Sequence, residues 1–103
     1  MSVRSLIRFV PKPGREADFE AAFEAAGMLT RPSAVEGFLG AELLRSCETP
    51  AEYCVIGEWR SPEAYARWQE LSLRGADPKR VAALLDTLVE PAPGRLFVGV
   101  ASA

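Results

Sequence analysis

Apolar residues recur in two periods along this chain, and the order in which the periods alternate limits the folds open to it. Residues 3–10 (VRSLIRFV), 37–45 (GFLGAELLR), 53–60 (YCVIGEWR) and 95–101 (RLFVGVA) read as strands. Residues 15–29 read as a helix, with Phe19, Ala22, Phe23 and Ala26 at three- and four-residue steps and Glu16, Glu20 and Glu24 on another face. Ser61-Pro62-Glu63 starts a second helix: a side-chain N-cap, a proline where no N–H is needed, and an acid at the positive end of the helix dipole. It runs to about Leu73, with Ala64, Tyr65, Trp68 and Leu71 or Ser72 inward, and Gly75 breaks it. Asp77-Pro78 repeats the signal for a third helix to about Leu88, apolar at Val81, Leu84, Leu85 and Leu88. Pro11-Lys12-Pro13-Gly14, Gly27, Thr49-Pro50 and Pro91-Ala92-Pro93-Gly94 supply the turns. The order β-α-β-β-α-α-β predicts an α+β, ferredoxin-like fold: an antiparallel four-stranded sheet with helices on one face. Residues 1–103 form one domain, with about 5,700 Å² of folded surface expected.

Both faces of the strands carry apolar residues. Val3, Ile7 and Phe9 oppose Leu6 and Val10, Leu39 and Leu43 oppose Phe38 and Leu44, and Leu96, Val98 and Val100 oppose Phe97. Three short helices cover one face. The other, roughly 500 Å² from strand spacing and length, reaches the size of the largest apolar patch usual on a monomer. The expectation is a homodimer joined through its sheet faces.

Several functions fall away on composition. The chain has no histidine, so it has no His-based dyad or triad and no His-ligated zinc or haem. With 12 basic and 14 acidic residues, it has no positive field for nucleic acid or an anionic membrane surface. No apolar run reaches the roughly 18 residues of a membrane span, and the N-terminus carries no signal-peptide pattern, so the expected location is cytoplasmic. Cys47 and Cys54 read as small half-buried hydrophobes, with no imidazole to activate them and no partners for a metal.

The runs GFLGAELLR and YCVIGEWRSPEAYARW, with FVPKPGREADFEAAF before them, resemble the antibiotic biosynthesis monooxygenase family of dimeric α+β barrels over nearly the whole chain. The resemblance implies that fold, a homodimer, and a pocket between sheet and helices. It includes cofactor-free oxygenases of aromatic polyketides, quinol oxygenases and haem-degrading enzymes. The haem-degrading branch uses an Asn near Ile7, a Trp at Trp68 and an axial His near Pro78; with no histidine, haem ligation is lost, and neither haem nor metal is expected. The anthrone-oxygenase branch shares Gly75-Ala76-Asp77-Pro78, a Trp matched by Trp59 and a Tyr matched by Tyr65. Its Asn falls at Val55 and its Arg near Leu84, with Arg80 one turn earlier as a stand-in.

The resemblance puts Tyr53, Val55, Gly57 and Trp59 on the face that meets the helices, lining a substrate pocket with Ile7, Phe9, Tyr65 and Trp68. Gly57 would leave open space above the sheet. Trp59 reads equally well as core and as pocket wall; for Tyr65 and Trp68 the core reading leads. Cofactor-free oxygenation needs a base, for which Glu58, Glu42 or a tyrosinate are candidates. Ion pairing of Glu58 and Glu42 with Arg45, Arg60 or Arg8 on the dimer face is the stronger reading. The expected function is cofactor-independent, monooxygenase-like oxidation of a small aromatic substrate, a quinol or polycyclic phenol, by O₂. The alternative is a non-catalytic homodimer that binds a small hydrophobic ligand or serves as an accessory protein.

Overall fold

The helix starts form as their local chemistry dictates. In the computed structural model, which describes residues 2–48, 52–90 and 93–103, Ser61 Oγ accepts from the Ala64 N–H at 3.3 Å and Asp77 Oδ1 from the Lys79 N–H at 2.9 Å. These caps open α2 (Pro62–Arg74) and α3 (Pro78–Asp86). α1 (Glu16–Ala25) stops earlier than the periodicity suggests. Gly27, at φ +69°, donates to Glu24 O while Met28 donates to Phe23 O, the two bonds of a Schellman stop. Arg31–Ala34 then forms one 3-10 turn.

The strands β1 (Val3–Phe9), β2 (Phe38–Arg45), β3 (Tyr53–Trp59) and β4 (Arg95–Val98) make one antiparallel sheet in the order β2-β3-β1-β4. This is the ferredoxin-like arrangement. The turn read at Thr49-Pro50 and the prolyl start of the turn at Pro91 lie outside the described residues. β4 is shorter than its apolar run because Val98 pairs with Val3, where β1 begins. α3 gives way after Asp86 to a β-like crossing, in which Lys12 donates to Thr87 O and Val89 to Val10 O.

One strand-face assignment changes. β2 slips by one residue between Phe38 and Gly40, so Phe38 pairs with Trp59 and Gly40 with Glu58, and Leu39 bulges out, 49% exposed. The slip puts Phe38 on the helix side together with Leu43, rather than opposite it. On α2 and α3, Leu71 and Leu85 point to solvent, while Ala64, Tyr65, Trp68 and Leu84 are buried, as is Leu88 just beyond α3.

The helix-side face holds two aromatic cores. Phe9, Phe19, Phe23, Tyr53, Leu84 and Leu88 make one, under α1 and α3. Val3, Val35, Trp59, Ala64, Tyr65 and Trp68 make the other, under α2. Met28 packs against both. Each buried side chain of this size is worth about 1.5–3 kcal/mol.

No described element covers the opposite face. Leu6, Cys54 and Ile56 are half-buried there, and Leu44 and Phe97 are exposed. The domain measures 39 × 33 × 18 Å, thin enough for one sheet and one helix layer. Its 6828 Å² of surface exceeds the value expected for its mass by about 1,100 Å².

Candidate functional site

β3 supplies the centre of the site because its odd positions all face the helices. Trp59 is 2% exposed. Its ring lies 6.5 Å from Trp68 at 21°, and meets Tyr65 at 5.5 Å and Phe38 at 5.1 Å at steeper angles. Its indole N–H donates to Ser5 Oγ at 2.9 Å in the core. That bond occupies the space above Gly57: a Cβ there would sit 2.7 Å from Ser5 Oγ and 2.9 Å from Trp59 Nε1. Gly57 therefore makes room for a hydrogen bond rather than for an open cavity. The Arg31 guanidinium lies over the Trp68 ring at 5.3 Å and donates to Leu71 O and Ala26 O, tying α2 to the end of α1.

The seven side chains singled out in the sequence divide between the two cores. Trp59, Tyr65 and Trp68 come together in one. Phe9 and Tyr53 are buried in the other, with Ile7 and Val55 packed against it and half-buried. Leu43, Val55 and Ile7 are successive cross-strand partners on β2, β3 and β1. They form an apolar row across the helix-side face of the sheet, packed against the Phe9 core. Tyr65 Oη and Ile7 Cγ1 close one end, where both approach Gly94 so tightly that a Cβ at Gly94 would clash with the Tyr65 hydroxyl. Leu43, at the other end, lines a cleft of about 380 Å³ between α1 and β2, floored by Phe23, Leu29 and Leu43 and edged by Glu20, Glu24 and Thr30.

The polar groups nearest this row differ from those expected. Tyr53 donates its phenolic hydrogen to Glu20 Oε2. Burial, and then the hydrogen bond and charge of Glu20, raise the Tyr53 phenol above its ordinary value against an opposing pull from Arg45. Burial raises Tyr65 as well, with Gln69 opposing. Both shifts favour the neutral phenol over the tyrosinate.

Glu58 and Glu42 lie on the uncovered sheet face, away from both cores; Glu58 pairs with Arg4 at 3.7 Å. Arg8 pairs with Glu52 at 2.6 Å, and Arg45 faces Tyr53 on the helix side. Among the described residues of the single chain, no ion pair joins Glu58 to Arg8, Arg45 or Arg60. Arg80 is engaged elsewhere, donating to Ala25 O at 2.8 Å at the end of α1, and Leu84 is buried in the Phe9 core. Cys54 is half-buried, its thiol raised by burial and by Glu52, whereas Cys47 is exposed rather than half-buried. Glu20 is the residue that sequence reasoning passed over. It lies on the outward face of α1, and it accepts its hydrogen bond from a tyrosine 33 positions away.

Among the described residues no three His, Cys, Asp or Glu side chains converge as a metal-binding group, and no helix is long and apolar enough to cross a membrane.

A family model described as antibiotic biosynthesis monooxygenase matches residues 2–73. Among solved structures, Rv0793 from Mycobacterium tuberculosis superposes with a TM-score of 0.74 at 21% identity, covering 100% of this chain and 99% of that one. SnoaB, a cofactor-independent oxygenase from Streptomyces nogalater, gives 0.70 at 24% identity, covering 98% and 95%. A conserved protein from Methanosarcina mazei gives 0.72 at 13% identity, covering 94% and 91%. These likenesses establish the fold. Among curated proteins nothing matches significantly.

Proposed function

The chain belongs to the antibiotic biosynthesis monooxygenase family, and from that premise we propose that it oxidises a small aromatic substrate, a quinol or polycyclic phenol, with O₂ and without a cofactor. The observation that carries this reading is the half-buried apolar row Leu43–Val55–Ile7, packed beside the Phe9 core, whose Leu43 end lines the α1–β2 cleft. A flat ring system lies well on such a floor, with Phe9 and Tyr53 to one side and Trp59, Tyr65 and Trp68 to the other. In this reading Tyr65, a neutral phenol at the closed end, donates to a substrate oxygen.

In an anthrone-type oxidation the substrate first loses a proton, and the resulting anion is electron-rich enough to react with O₂ directly. One oxygen atom replaces the two hydrogens of the reacting methylene carbon, and the other leaves with them as water. The protein's part is to hold the anion flat and shield it from bulk water. A homodimer working in the cytoplasm, with the uncovered sheet faces packed together, completes the reading.

Val55 and Leu84 favour a second reading. They are apolar where the resemblance puts an Asn and an Arg, which suits a non-catalytic homodimer that binds a small hydrophobic ligand. One experiment separates the two: O₂ consumption with a panel of anthrones and hydroquinones. Acceleration over the uncatalysed oxidation that is lost in Val55→Trp supports the oxygenase. Saturable binding with no acceleration anywhere in the panel refutes it in favour of the second reading.

A further inference from the structure

The α1–β2 cleft, at about 380 Å³, falls within the roughly 300–1,000 Å³ typical of small-molecule sites. Its floor is apolar and its edge is acidic. Glu20 and Glu24 stand one helical turn apart on α1, over Phe23 and Leu43. Cations near them are turned elsewhere. The Arg31 guanidinium is held by two carbonyls and the Trp68 ring. Arg45 lies towards Tyr53, and among the described residues no ion pair joins it to Glu20 or Glu24. Glu20 is held at the edge by the Tyr53 hydroxyl, and Thr30 is the one uncharged polar side chain there.

We propose that Glu20 and Glu24 make this mouth charge-selective: it takes an aromatic ligand that arrives uncharged and turns away one that carries a carboxylate. The inference rests on the cleft being the way into the site proposed above, and it narrows the substrate class. A phenol enters with its proton on; an aromatic acid is repelled at the cleft edge. Two exposed carboxylates within several ångströms of a ligand charge change affinity by about five- to tenfold at low salt, less as screening sets in.

The test uses three probes with one ring system: 1-naphthol, 1-naphthoate and 1-naphthylmethylammonium. Binding is followed by shifts of the Leu43 methyl resonances, which report on the cleft itself. The expected result is naphthoate weaker than naphthol by about five- to tenfold, with the ammonium probe at least as tight as naphthol. Glu24→Gln, which leaves the Tyr53–Glu20 bond untouched, should remove about half of the discrimination on a logarithmic scale. Glu20→Gln with Glu24→Gln, or 1 M salt, should remove nearly all of it. Naphthoate binding as tightly as naphthol overturns charge selection and leaves the site standing. If no probe shifts Leu43, the site reading and the charge selection both fail.

Discussion

The hydrogen bond from Trp59 to Ser5 makes a quantitative prediction about how rigid the centre of this site is. Ser5 is 3% exposed and Trp59 2%, so neither group reaches water in the folded chain. Ser5→Ala leaves the indole N–H buried without an acceptor, which costs about 1–3 kcal/mol. Taking about 2 kcal/mol, and about 4–8 °C per kcal/mol for a domain near this size, the melting midpoint should fall by about 8–16 °C. In a Trp59→Phe background there is no N–H to strand, and the same Ser5→Ala change should cost under about 0.5 kcal/mol. The coupling in the double-mutant cycle is then about 1.5 kcal/mol. Urea unfolding at one fixed protein concentration measures it, with unchanged slopes confirming comparable end states. Equal losses in the two backgrounds, or a Ser5→Ala variant within 0.5 kcal/mol of the parent, would show that the indole is not pinned and refute the argument.

Other consequences are as direct. Gly57→Ala should lose about 1–3 kcal/mol by overpacking, measured by thermal melting, because its Cβ would fall 2.7 Å from Ser5 Oγ. Ile56→Glu, on the uncovered sheet face, should convert the proposed dimer to monomer in sedimentation with little change in far-UV circular dichroism. Leu43→Trp should fill the α1–β2 cleft and lower ligand affinity at least tenfold while costing under about 1 kcal/mol, since the side chain is only half-buried. The Tyr53 and Tyr65 phenols have raised values in the fold, so their contribution to stability is full below the unfolded value near 10 and is lost as pH rises through the folded values. The urea midpoint should therefore fall as pH rises above about 10, and fall less in Tyr53→Phe.

What could be read from the chain in advance was local or periodic. Ser61-Pro62 and Asp77-Pro78 announce helix starts because the cap lies within three residues of the group it satisfies. The strand faces of β1 and β3 follow from simple alternation. The end of α1 was harder: the apolar steps continue to Ala26, and only the positive φ of Gly27 stops the helix. Partner-dependent features left no trace in the sequence. The slip at Leu39 depends on β2 being counted against β3, and the short β4 on where β1 begins. Alternation also placed Ile7, Phe9, Tyr53, Val55 and Trp59 on one face without revealing that two separate cores divide them. Glu20 looked like any solvated helix acid, because a bond to a tyrosine 33 positions away has no local signal.

The slip in β2 also governs how that strand can change length. β2 spans eight residues against seven in β3. Deleting Leu39 would set Phe38 directly before Gly40 and leave their partners, Trp59 and Glu58, as they are. Deleting any residue from Ala41 to Leu44 would instead turn the side chains on one side of the gap over to the opposite face. Leu39 is the strand's spare residue, a position where a codon can be lost without disturbing which side of the sheet its neighbours serve.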